Sequence, residues 1–252
     1  MEPGLPDPTR SRPESHLPRV QHAHPRVVDN PVRAGIVCLP VSAVLLIAGA
    51  FVRGPFRSPA FTSDARAFSR WVTSPAYSVG WLILIAATAL LLFGVLSLTV
   101  DLAHGRGRAR ALIGLCTTVA GIALSLAVTG SFAFGWPSVG ERILAGDQGA
   151  FSALAMSYSS GPLLIAVFAS SALYIAGTLA IAMVIWESRT LPRWAGLLYM
   201  IHAPLLCNAA TMTLVVEQLG AFFLLLCGVG LASGVRHEEE VVRHLEHHAP
   251  AH

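Results

Sequence analysis

Between residues 34 and 234, apolar residues run in six stretches, each about long enough to cross a bilayer. A hydrocarbon core about 30 Å thick takes roughly 20 helical residues at 1.5 Å rise each. The clearest stretch, Tyr77–Val100, contains no charged residue. The others of the first four lie at about 34–52, 111–134 and 162–186. Arg193 to Gly234 is too long for one span and is punctuated by Pro204 and the Glu217-Gln218 pair. It divides into spans at about 194–213 and 219–233, with a tight hairpin around Glu217. The pattern predicts an all-α, polytopic transmembrane helical bundle of about six spans. Ala48-Gly49-Ala50 resembles a signal-peptide cleavage site. The first apolar run exceeds a usual signal core and more spans follow it, so it reads as a retained helix.

Two tails flank this domain. Residues 1–33 are rich in proline and arginine without a long apolar run, as in a disordered segment. Residues 235–252 are rich in histidine and glutamate. With 54% hydrophobic and only 12% charged residues, the composition departs from the roughly 25% charge of soluble domains. The net charge of +3 is spread over tails and loops, which argues against a nucleic-acid partner. The four cysteines fall in four different apolar stretches and read as small buried side chains.

Arginine placement orients the chain, because cytoplasmic loops carry the excess of positive charge. With both termini cytoplasmic, twelve arginines lie inside and five outside. The expected location is the cytoplasmic membrane of a bacterium, and the expected partner is the lipid bilayer. Two outside loops carry structure of their own. Ser63-Asp64 before Ala65, Phe68, Trp71 and Val72 reads as an amphipathic helix lying on the membrane surface, with Ser63 as its cap and Asp64 in an acidic first turn. Val139–Tyr158 mixes apolar and charged residues, and reads as the chain re-entering at the interface or as a cap on an outward vestibule.

Three pieces carry a resemblance. They are Asp64-Ala65-Arg66-Ala67-Phe68 leading to Ser74-Pro75-Ala76-Tyr77-Ser78-Val79-Gly80, then Leu91-Leu92-Phe93-Gly94-Val95-Leu96, and Ile185-Trp186-Glu187-Ser188-Arg189-Thr190-Leu191-Pro192-Arg193-Trp194-Ala195-Gly196. In their order the chain resembles uncharacterised small multi-pass membrane proteins of high-GC bacteria, over about residues 50–234. The resemblance implies the architecture and brings no activity with it.

Ionisable groups at membrane depth are the usual pointers to function, and few are present. His202 is the only histidine inside a span, with Tyr199 on the same helical face and Pro204 two residues on. It is a candidate proton relay or ligand contact, or a histidine hydrogen-bonded to a neighbouring helix. Asn208 and Thr211 share a different face. Glu217 reads as a hydrated turn residue, or as a proton-exchanging acid if it lies at membrane depth. In the C-terminal tail His244 and His248 stand four apart, a spacing that chelates Zn²⁺, although adventitious affinity of a solvated tail explains it as well. No catalytic motif is present, and a lone span histidine disfavours haem; no cofactor is expected.

Small residues recur at helical spacing: Gly114, Thr118, Gly121, Ser125 and Thr129 in the third span, Ala172 and Ala176 in the fourth, and Gly230 and Gly234 in the sixth. Such faces draw helices together, within one chain or between copies. The scarcity of intramembrane polar groups favours a non-enzymatic accessory or scaffold protein, with a membrane-protein partner or a homo-oligomer. A small transporter with its site near Tyr199, His202 and Pro204 is the alternative, and a lipid-modifying enzyme comes last.

Overall fold

The structure is a computed structural model and describes residues 30–59, 62–103, 107–188, 191–208 and 214–248. The described residues are almost entirely helical and contain no strand. In chain order the helices are α1 (Asn30–Arg53), α2 (Ala65–Val72), α3 (Pro75–Leu102), α4 (Arg108–Gly130), α5 (Trp136–Leu144), α6 (Gln148–Ser160), α7 (Pro162–Glu187), α8 (Arg193–Asn208) and α9 (Leu214–His248). Five helical stretches are long and apolar enough to cross a membrane: Ala34–Arg53, Pro75–Leu102, Arg108–Leu144, Gly149–Glu187 and Leu214–Gly234. The expected fifth span corresponds to α8, whose 16 described residues fall short of that length; Thr211 lies outside the described residues.

Six helices form a closed ring, in the order α4, α7, α8, α9, α1 and α3. Each neighbouring pair from α4 round to α3 packs antiparallel through small residues. A Cβ on Gly80 would lie 2.5 Å from the Arg53 backbone nitrogen, so only glycine lets α3 approach α1 there. Gly121 and Gly177 do the same between α4 and α7: added Cβ atoms would meet the backbone nitrogens of Tyr174 and Thr118 at 2.6 and 2.5 Å. Gly114 faces Ile181, and Gly230 lies against the Trp194 ring. These glycines are thus occupied inside the bundle, whereas Ala172 and Ala176 remain on the outer face of α7.

Three boundaries differ from the sequence reading, each for a local reason. The third span does not stop at Phe134. It passes through a π turn at Ser131–Gly135 straight into α5. In that turn Trp136 N–H bonds the Ser131 carbonyl, so the Phe132 carbonyl faces Pro137, which has no N–H to give. The Tyr77 hydroxyl takes its place, donating to Phe132 O at 2.8 Å. The segment after it is not a connecting stretch but two helices, α5 and α6. The last span, in turn, does not begin after a hairpin at Glu217: α9 starts at Leu214 and continues as helix to His248.

The short helices close one end of the ring. Asp64 itself, rather than Ser63, caps α2, accepting from Ala67 N–H at 2.9 Å, and Asp147 caps α6 by accepting from Ala150 N–H. Phe68 and Val72 of α2 are buried against α5 and α6, in an aromatic core with Tyr77, Trp81, Phe132 and Trp136. A second, aliphatic core fills the other half of the ring. At that opposite end Trp186 and Trp194 are exposed, as interfacial anchors are.

Candidate functional site

Between the two cores lies a cavity of about 190 Å³, to which all six ring helices contribute. Its wall is apolar in the main: Leu46 from α1, Leu84 and Leu91 from α3, Ile122 and Val128 from α4, and Val167 from α7. Hydroxyls break this wall at Thr88, Ser125, Thr129, Ser170 and Ser171. Thr88, Ser170 and Ser171 each spend their one proton on a carbonyl of their own helix, Leu84 O or Val167 O, at 2.8–2.9 Å. What such a hydroxyl has left to offer the cavity is acceptor lone pairs.

The end nearest α2 and α5 is charged. Arg53, the last residue of α1, donates from Nη2 to Glu217 Oε2 at 2.6 Å, and both residues line the cavity. Their side chains are only 4% and 13% exposed. Glu217 is therefore not the hydrated hairpin residue that its sequence neighbours suggest. It sits in the first turn of α9, and its charge is met by an arginine 164 positions earlier. Arg53 is further fixed by stacking, with its guanidinium carbon 4.7 Å from the Trp81 ring and 5.7 Å from Phe56. Its Nε donates to the Gly54 carbonyl, and its own carbonyl accepts from Trp71 Nε1 of the α2 cap. Nη1 takes no hydrogen-bond partner among the described residues. Phe56 follows Gly54, whose φ of +76° turns the chain back over the ring. From there Phe56 touches Trp71, Trp81, Phe132 and Trp136, roofing the charged end.

Tyr174 forms the floor, and His202 lies behind it. The Tyr174 hydroxyl and His202 Nε2 are 2.8 Å apart, and His202 Nδ1 is 2.6 Å from the Tyr199 carbonyl. A carbonyl only accepts, so Nδ1 carries the proton, and a singly protonated ring then accepts from Tyr174 through Nε2. Both nitrogens are satisfied, one of them across to a neighbouring helix. Tyr199 and His202 are fully buried and do not line the cavity, whereas Tyr174 reaches both it and the histidine. Pro204 lies within α8 without interrupting it. Tyr199, His202 and Pro204 thus stand outside the cavity lining, with Tyr174 between His202 and the cavity. Asn208 is the last residue of α8, and its side chain is outside the described residues. His244 and His248 fall on the far end of α9, where side chains are likewise not described. Among the described residues no cluster of His, Cys, Asp and Glu could hold a metal ion.

The residues missed from sequence were Arg53 and Tyr174. Arg53 looks like an ordinary flanking arginine at a span end, and Tyr174 like one more large residue of an apolar stretch. The available signal was charge balance: Glu217 close to an apolar run demands a cation. No protein-family model matches the sequence, and neither the curated proteins nor the solved structures yield a match.

Proposed function

We propose that the chain is a six-span carrier of the bacterial cytoplasmic membrane, with both termini cytoplasmic. A small molecule would be seated in the cavity lined by its helices. One observation carries this reading: a buried ion pair, Arg53–Glu217, lines a partly apolar cavity to which every ring helix contributes. A scaffold has no need to keep a charge pair on the wall of a cavity, since desolvating two charges is expensive. Ring closure, with α8 wedged between α7 and α9, supports counting α8 as a span. The site moves from Tyr199, His202 and Pro204 to the cavity above them. An accessory role retains one supporting feature, the outward Ala172 and Ala176 on α7, where a partner helix has room to approach.

Native mass spectrometry of the protein gently extracted from its own membrane tests this. The expected result is a non-lipid small molecule retained by the wild type and lost from Ser125→Leu, which fills the cavity from α4. A wild type that carries no small molecule, or one that Ser125→Leu retains equally, rules the carrier out. A partner protein at fixed stoichiometry would establish the accessory reading instead.

A further inference from the structure

The charged end of the cavity restricts what it can take. Arg53 and Glu217 form a closed pair, so any ligand that reaches either charge must replace the partner it displaces. A monoanion on Arg53 leaves the Glu217 carboxylate buried and alone. A monocation on Glu217 strands the guanidinium in the same way. Removing one partner of a buried pair is strongly unfavourable, because it leaves an uncompensated charge out of water. A neutral molecule leaves the pair shut and meets mainly acceptor hydroxyls, such as those of Ser170 and Ser171. A zwitterion, by contrast, divides the pair and satisfies both halves at no net change of charge.

Geometry and volume narrow the class further. Arg53 has Nη1 without a hydrogen-bond partner among the described residues, so the planar guanidinium retains the donors for a two-point contact with a carboxylate. An ammonium group alongside it has the Glu217 carboxylate to pair with. It also has the faces of Phe56 and Trp81, the rings that already hold a cation here. Below the pair the wall is aliphatic, formed by Leu46, Leu84, Leu91 and Ile122. A cavity of about 150 Å³ accommodates benzene, and this one measures about 190 Å³. That is room for one compact apolar side chain beneath a head group.

We infer that the cavity binds a free amino acid with a small apolar side chain, its carboxylate on Arg53 and its ammonium on Glu217. This inference rests on the carrier reading above and specifies its substrate class. Binding must open the Arg53–Glu217 contact by the width of a head group. Since Glu217 stands in the first turn of α9 and Arg53 in the last turn of α1, the separation is one of two helix ends.

The test uses the full-length wild-type protein in lipid nanodiscs with radiolabelled L-leucine, competed by isocaproate, which lacks the ammonium, and by isoamylamine, which lacks the carboxylate. Saturable leucine binding is expected, with each analogue weaker by about a hundredfold or more, the cost of one stranded charge. In Glu217→Gln the order should invert, because isocaproate no longer faces an unpaired carboxylate. Isocaproate or isoamylamine matching leucine on the wild type overturns the zwitterion and leaves a singly charged substrate in the same cavity. No binding by any of the three overturns it too. If a cavity-held molecule lost from Ser125→Leu is then still found, the carrier reading survives that failure; without one, both fall.

Discussion

Arg53 and Glu217 allow a quantitative check on whether their pair is buried in energy as well as in area. In Arg53→Met the Glu217 carboxylate keeps its place, with 13% of its side chain exposed, and loses the cation that pairs it. Breaking a buried pair in this way costs about 3–5 kcal/mol. Glu217→Leu leaves Arg53, 4% exposed, against aromatic faces that compensate a cation only by about 1–2 kcal/mol. Its expected cost is about 3 kcal/mol, toward the lower end of that range. The double variant Arg53→Met/Glu217→Leu buries two apolar side chains with no stranded charge, and should lie within about 1–2 kcal/mol of wild type. The coupling between the two sites is then at least about 4 kcal/mol. Equilibrium unfolding of the four proteins in mixed micelles, followed by circular dichroism, measures the cycle. Single variants each within about 1 kcal/mol of wild type, and additive, are what a solvated surface pair gives; that result would refute the buried site.

Three further outcomes follow from other parts of the molecule. Tyr77→Phe removes the donor to the Phe132 carbonyl and should destabilise the protein by about 1–3 kcal/mol, the cost of an orphaned buried acceptor; unchanged unfolding would show that the π turn satisfies itself. The hydrogen bond from Arg142 holds the Asp147 carboxyl below its ordinary value, helped by the Ala150 amide. A lowered folded-state value means that its contribution to stability is present above the unfolded value and lost as pH falls through the folded one. Carboxyl titration followed by NMR should therefore place Asp147 below the usual aspartate range and move it up in Arg142→Gln; no movement would remove the pair as the cause. Cysteines placed at Ser138 and Ser188, at opposite ends of the bundle, should react with an impermeant maleimide from opposite sides of the membrane, and labelling from one side would overturn the topology.

How legible this molecule is depends on the range over which each force acts. Spans such as Tyr77–Val100 follow from local hydropathy alone, because the bilayer demands a minimum apolar length wherever the chain crosses it. The α2 helix was legible for the same local reason, since a capping residue and a few spaced apolar residues suffice, although the cap is Asp64 and not Ser63. Glu217 was not legible. Its flanks look like a turn, and only a partner 164 residues away makes a helical, shielded carboxylate tolerable. The π turn also depends on a distant group, the Tyr77 hydroxyl, although Trp136-Pro137 marks locally where a helical carbonyl would be left over. His202 falls between these cases. Its type and depth pointed to a bond with another helix, but nothing local identified Tyr174 as the residue that separates it from the cavity.

The unbroken length of α9 has a mechanical consequence. Its 35 residues make a rod about 52 Å long at 1.5 Å per residue, well beyond a hydrocarbon core of about 30 Å. One end carries Glu217 and the other the histidine- and glutamate-rich segment. A stiff rod acts as a lever: tilting it by about 10° about the Glu217 end displaces the far tip by roughly 9 Å, as its length dictates. A sub-ångström adjustment in the cavity would scarcely register there, but the opening of one ion pair would. The tail is therefore the natural place to attach a spectroscopic reporter for what happens at the other end.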